Sequence, residues 1–202
     1  MARYTGPKNK LARKVGEDLG LKTNALKVAR RLMIRPGQHG HRGRRKVSEY
    51  GLQLQEKQKV KYIYGILEKQ LNRVYKEASK NPTATGSALL SLLERRLDNV
   101  IYRIGWASTR FAARQLVSHG HIQVNGKKMN IASYRVVVGD VINLKDKSTK
   151  IPFVAELLKE ESISTPEWIE KKGAAAKIVR IPVREDIAER IDEQLVTEYY
   201  SR

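Results

Sequence analysis

The dipeptide Asn125-Gly126 constrains this chain more than any other pair of residues. It stands between the extended stretches Ile122-Gln123-Val124 and Lys127-Lys128. A two-residue hairpin loop needs positive φ at both central positions, which Asn and Gly adopt at low cost. An antiparallel hairpin is thereby placed, and Val136 to Leu144, interrupted at Gly139-Asp140, supplies further strand. Two helices lead into it. In the first, Leu90, Leu93, Leu97, Ile101 and Ile104 recur at helical spacing with Arg96, Asn99 and Arg103 opposite them, and Gly105 ends it. Ser108 is placed to cap a second helix and Gly120 to stop it in the left-handed conformation, while Arg110, Arg114 and Ser118 fall at i, i+4 and i+8. The spacing predicts an arginine ridge beside a hairpin.

Charge states what such a ridge would meet. The 202 residues carry 40 Lys and Arg against 21 Asp and Glu, a net charge of +19, which repels itself in a compact fold unless a polyanion neutralises it. The excess is uneven. Residues 1–50 hold fourteen basic side chains against three acids, residues 51–93 seven against three, and residues 94–150 eleven against four. Residues 151–202 reverse the sign with eight against eleven, including Glu156, Glu160, Glu161 and the series from Glu185 to Glu198. A polyanion is therefore expected along the first three quarters, with the tail facing solvent, protein or its own basic neighbours. Of the two polyanions a cell offers, a membrane fits less well than a nucleic acid. No apolar run approaches the roughly 20 residues of a spanning helix, and no cleavable apolar leader follows Met1, so an intracellular protein is expected. With 41% apolar residues the chain has enough to bury for a folded protein, and the absence of cysteine removes disulfides and thiolate metal sites.

Four segments follow along the chain. Residues 1–45 are dense in basic side chains, with few large apolar ones and the turn Pro36-Gly37-Gln38-His39-Gly40-His41-Arg42-Gly43. They read as an extended arm unable to pack alone. From Ser48 to Lys80 one long helix is predicted, with Val60, Ile63, Leu67, Leu71, Val74 and Ala78 on one stripe and Tyr62, Lys69, Arg73 and Lys76 opposite. Gly65 within it costs about 1 kcal/mol against alanine, which suggests close approach of another backbone. Asn81-Pro82 ends that helix. The hairpin module then runs to about Pro152, and a region broken at Pro152, Pro166 and Gly173 closes with a helix carrying Ile187, Ile191 and Leu195.

The motifs Arg95-Arg96-Leu97-Asp98-Asn99-Val100, Ser108-Thr109-Arg110, Ala112-Ala113-Arg114-Gln115-Leu116-Val117-Ser118-His119-Gly120-His121 and Val124-Asn125-Gly126 resemble the S4 RNA-binding module. Beyond them, Pro36-Gly37-Gln38-His39-Gly40, the run Ser48 to Lys59, Tyr64-Gly65 with Glu68-Lys69-Gln70, and the ending Glu198-Tyr199-Tyr200-Ser201-Arg202 are similar to the bacterial type of the S4 family of small-subunit ribosomal proteins. The resemblance spans nearly the whole chain. It implies an α+β fold: a basic extended arm over 1–45, a mainly helical domain over 46–92 completed by 172–202, and over 93–165 a small domain of paired helices packed on an antiparallel β-sheet. It further implies a cytoplasmic, non-enzymatic ribosomal constituent that binds 16S ribosomal RNA first, nucleates assembly of the 30S body and influences decoding accuracy. Ribosomal protein S5 and other small-subunit proteins would be partners, with no membrane, no self-association and no cofactor; repression of its own message is known in parts of the family.

The RNA-facing candidates in the hairpin module are Arg96, Arg103, Ser108, Thr109, Arg110, Arg114, Gln115, Ser118, His119, His121, Asn125, Lys127 and Lys128. In the arm they are Lys8, Lys10, Arg13, Arg30, Arg31, Arg35, Arg44 and Arg45, and in the helical segment Lys57, Lys69 and Arg73. Basic side chains clustered with few acids are what counterion release from RNA requires. Tyr62 offers a ring for base stacking or for packing. No metal site is expected: His119 and His121 lack further ligands, and only His39 and His41 stand where some family members carry a cysteine zinc knuckle.

Two rival classes use the same module. In an RNA-modifying enzyme the triplet Arg96-Leu97-Asp98 would resemble the arginine-leucine-aspartate of pseudouridine synthases, but Asp98 lies inside the amphipathic first helix, and no separate catalytic domain, phosphate loop or nucleotide fingerprint is present in the sequence. A free-standing RNA chaperone would need only the middle hundred residues.

Overall fold

The computed structural model describes residues 3–42, 46–81, 84–159 and 165–201. In chain order its regular elements are α1 (Lys8–Val15), α2 (Ala25–Ala29), α3 (Glu49–Ile63), α4 (Glu68–Ala78), α5 (Thr85–Glu94), α6 (Leu97–Ile104), α7 (Arg110–Ser118), β1 (Ile122–Val124), β2 (Lys127–Met129), β3 (Val141–Leu144), α8 (Asp146–Thr149), α9 (Pro152–Lys159), β4 (Ile169–Lys172), β5 (Ala175–Ile178) and α10 (Glu193–Ser201). Two compact units result: residues 1–89 with 189–202, and residues 90–188. The fold is α+β, as the resemblance implies.

The first unit is helical. Ser48 caps α3 by accepting the Gly51 N–H at 3.3 Å, and α3 packs against both α1 and α10. The single helix predicted over 48–80 is two helices. Gly65, at φ 60°, provides a left-handed turn after α3, and the chain restarts at Glu68. That positive φ is a conformation glycine adopts at low cost, which gives the residue a reason to stand there. Val60, Ile63, Leu71, Val74 and Ala78 of the expected stripe are buried, whereas Ile66 takes the buried place next to a half-exposed Leu67.

The arm also departs from expectation. Leu11, Val15, Leu19, Leu21 and Val28 are buried, each worth roughly 1.5–3 kcal/mol on full burial. Gln55 of α3 donates to the Val15 carbonyl at 3.0 Å, and Lys59 pairs with Glu17 at 2.7 Å. Five apolar side chains spaced over eighteen residues are few, but they suffice for a region docked on α3. Arg44 and Arg45 lie outside the described residues.

α10 closes this unit. Tyr200 stacks on Tyr75 with centroids 4.6 Å apart and its hydroxyl donates to Glu68 at 2.8 Å, while Gln53 donates to Glu198 at 2.8 Å. Burial, followed by that hydrogen bond, pushes the Tyr200 phenol above its usual value, so it stays protonated as donor. The final helix thus begins at Glu193 rather than at Ile187. A methyl group at Gly86 of α5 would lie 2.6 Å from the Glu193 Cβ. We therefore expect Gly86→Ala to destabilise by about 1–3 kcal/mol through overpacking, despite the higher helix propensity of alanine. A denaturation midpoint equal to or above that of the native chain would contradict this packing.

The second unit holds an all-antiparallel sheet in the order β2-β1-β3-β5-β4. The predicted hairpin is present: Val124 pairs with Lys127, and Asn125 and Gly126 have φ 50° and 77°. Leu97, Val100, Ile101, Ile104, Leu116, Val117, Ile122, Ile142, Trp106 and Trp168 form one core between the helices and the sheet. Because β5 pairs with β3, residues 172–188 belong here, and the helical unit is completed only from Glu189.

The helix read through Leu90 to Ile104 is broken at Arg95-Arg96, where Arg96 is extended (ψ 135°). A tertiary partner outcompetes the helix. The chain after β2 runs back alongside, so that the Leu97 N–H reaches the Tyr134 carbonyl at 2.8 Å, Asp98 N–H that of Ala132 at 3.2 Å, and Val136 N–H that of Arg95 at 2.9 Å. Amides at a helix start have no partner within the helix, so these carbonyls compensate for the break. They also occupy Val136, and regular strand begins only at Val141.

Candidate nucleic-acid interface

The arginine ridge is not on the outside. Arg96, Arg110 and Arg114 are 6%, 6% and 5% exposed. Arg96 binds Asp98 through two hydrogen bonds of 3.1 and 2.8 Å, and Arg114 reaches the same carboxylate at 3.7 Å. Arg103 forks onto Glu94 at 2.9 and 2.7 Å. Asn99 joins the two halves, donating to Glu94 at 2.7 Å and accepting from Arg110 Nε at 2.7 Å, while the Arg110 guanidinium lies 4.4 Å from the Tyr102 ring centroid. Six charged side chains thus lock α5, α6 and α7 together. Helical spacing had placed Arg96, Asn99 and Arg103 opposite the apolar stripe; the break at Arg95-Arg96 and the packing of α7 on α6 turn that side inward.

Other candidates are absorbed by framework contacts. Thr109, rather than Ser108, is the N-cap of α7, its hydroxyl accepting the Ala112 N–H at 3.2 Å. Asn125 is spent on its own turn: its amide donates to Asp140 at 2.8 Å and its oxygen accepts from the Val141 N–H at 2.9 Å. Arg13 donates to the carbonyls of Ile34 and Arg35 at 2.8 and 3.0 Å. Lys57 is buried between Glu68, at 3.0 Å, and the Tyr199 ring, at 4.5 Å. Lys8 donates to the Tyr4 carbonyl at 3.0 Å, and burial followed by Arg3 holds its ammonium below the usual lysine value.

The remaining candidates face outward. In the second unit Ser108, Gln115, Ser118, His119, Lys127 and Lys128 are exposed and His121 is half-buried. Ser108, Gln115, His119 and His121 share a concavity of about 350 Å³ with Ala112, Leu116, Ile151 and Phe153. Gly120, at φ 73°, ends α7 beneath the aliphatic stem of Lys128, which brings the hairpin lysine to the end of the same helix. Lys145, which sequence reasoning missed, donates its backbone N–H to the His121 carbonyl at 3.0 Å. Burial, then His119 and Lys145, hold the His121 ring below the ordinary histidine value of 6.5. Folded protein therefore favours the neutral ring, and its share of stability, intact above that value, is lost as pH falls through the folded one. We expect the His121 NMR titration midpoint to lie below 6.5 in the free protein and to rise on binding a polyanion; an unmoved midpoint would separate His121 from the interface. In the first unit Lys10, Arg30, Arg31, Lys69 and Arg73 are exposed and Arg35 half-buried.

Among the described residues there is no group of His, Cys, Asp or Glu able to hold a metal ion, and no helix long and apolar enough to cross a membrane.

Residues 3–94 match the family described as ribosomal protein S4/S9 N-terminal domain, and residues 95–142 match the S4 domain. The chain belongs to the S4 family of small-subunit ribosomal proteins. It is 50% identical over 204 residues to the small ribosomal subunit protein uS4 of Parabacteroides distasonis, and 48% and 50% identical to those of Brevibacillus brevis and Halothermothrix orenii. In all three cases both chains are covered in full. The boundary between the two S4-family segments falls at Glu94 and Arg95, where α5 gives way to the extended Arg96.

Proposed function

We propose that this chain is a structural constituent of the small ribosomal subunit and binds 16S ribosomal RNA without catalysis. The full-length similarity to proteins named small ribosomal subunit protein uS4 carries this reading. In it, Lys127, Lys128, Gln115, Ser118, His119 and Ser108 meet RNA from the second unit, and Lys10, Arg30, Arg31, Lys69 and Arg73 from the first. The buried arginines act behind that surface. Glu94 and Asp98 pair with Arg96, Arg103 and Arg114, and Arg110 joins them through Asn99, so this cluster holds two more cations than carboxylates, and its positive potential favours phosphate outside while its geometry fixes α7.

A rigid helix pair and hairpin recognise the shape of folded RNA rather than a base sequence. Early binding, nucleation of the subunit body and an effect on decoding accuracy follow if that shape forms first around this protein. S5 and other small-subunit proteins are the proposed neighbours, and repression of its own message is a further consequence where that message folds alike. The enzyme reading finds no support, because Asp98 accepts from Arg96 and from the Asn99 N–H inside the helix pair, and the relatives are named as ribosomal proteins. Gradient sedimentation of tagged protein tests the proposal. Migration with the small subunit is expected, and migration alone would leave the free-standing chaperone.

A further inference from the structure

Leu26 and Met33 are 78% and 79% exposed, more than any other large apolar side chain described. Such side chains normally reach solvent singly and without consequence. These two differ in their setting. The stretch from Lys22 to Arg42 contains six Lys and Arg (Lys22, Lys27, Arg30, Arg31, Arg35, Arg42) and no acid. Nor does the stretch hang loose. Asn24 caps α2 by accepting the Lys27 N–H at 2.9 Å, Val28 is buried, and Arg13 grips the carbonyls of Ile34 and Arg35. Leu26 and Met33 are therefore presented on an anchored segment, with exposed Lys27, Arg30 and Arg31 between them.

Resting on the reading that this chain binds small-subunit RNA, we propose that Leu26 and Met33 are apolar contacts to that RNA, seated against ribose edges or between unstacked bases while the surrounding cations hold the phosphates. Charge chooses the occupant. A stretch carrying six cations and no acid repels a basic protein partner and attracts a phosphate backbone, and RNA offers apolar faces only a few ångströms from its phosphates. Leu and Met are among the side chains that enter nucleic-acid steps as wedges. Because apolar contact releases no counterions, these residues add affinity that does not vary with salt.

The test uses the full chain, small-subunit ribosomal RNA transcript and filter binding at several salt concentrations. Leu26→Ser with Met33→Ser is expected to weaken binding tenfold or more with the slope of log affinity against log salt unchanged, whereas Lys27→Gln with Arg31→Gln should flatten the slope. Leu26→Met should keep the affinity. Melting of the double serine variant should match the native protein, since both side chains lie outside; a lowered melting temperature would assign them to the fold and overturn the proposal. So would unchanged RNA affinity, and so would unchanged RNA affinity with impaired incorporation into reconstituted subunits, which would assign the patch to a protein. Failure of the native chain to bind the transcript would instead defeat the underlying reading.

Discussion

Replacing Asp98 by alanine is expected to destabilise the sheet-bearing unit by about 3–5 kcal/mol, the usual consequence of removing one partner from a buried ion pair. Arg96 and Arg114 would remain 6% and 5% exposed with the carboxylate at 2.8 and 3.7 Å gone. The Asn99 N–H, 3.0 Å from that carboxylate, would lose its acceptor as well. Asp98→Asn keeps an oxygen for Arg96 and should cost less. The chain's two tryptophans, Trp106 and Trp168, are both buried in this unit, so their fluorescence in urea reports its unfolding selectively. By the same logic Arg110→Ala with Arg114→Ala should lower stability, contrary to the solvated ridge that helical spacing suggests. Native unfolding together with a loss of RNA affinity would return these arginines to the interface.

The second large effect concerns salt. If six or more phosphates are neutralised, log affinity for the RNA should fall by roughly 0.7 to 0.9 per contact for each unit of log salt, about 10³-fold or more between 50 and 200 mM. Lys127→Gln with Lys128→Gln should reduce that slope by roughly 1.5 while leaving stability within about 0.5 kcal/mol, because both side chains are exposed. A flat salt dependence of the native protein would defeat the polyanion reading, and an unchanged slope in the double variant would remove the hairpin from the contact surface.

The sequence was most legible where a local rule suffices. Asn125-Gly126 demanded a hairpin, and Gly105 and Gly120 ended their helices at φ 85° and 73°. It was least legible where partners distant along the chain decide. Nothing local marks Arg95-Arg96 as a break; the carbonyls of Ala132 and Tyr134, some 35 residues on, make it one. An arginine opposite an apolar stripe reads as exposed, and only the packing of α7 on α6 reveals that Arg114 faces the Asp98 carboxylate and Arg110 the Asn99 amide and the Tyr102 ring. Residues 166–178 lack a strand signal strong enough to assign them to the sheet, so the sequence reading attaches 172–202 as a block to the helical unit. In the arm, Leu11, Val15, Leu19, Leu21 and Val28 were too sparse to read as a packing face, yet α3 offers them one. Gln115, Ser118, His119, Lys127 and Lys128 are exposed, as side chains proposed to meet RNA must be, while Lys145 and Phe153 come near His121 and His119 only through tertiary proximity.

Recognition of small-subunit RNA is tested most directly by competition between small-subunit and large-subunit ribosomal RNA for the purified chain at 200 mM salt, where purely electrostatic binding has weakened. Strong preference for the small-subunit RNA is expected, reduced by Lys127→Gln with Lys128→Gln. Equal affinity for both RNAs would contradict it, leaving a basic protein without a ribosomal address.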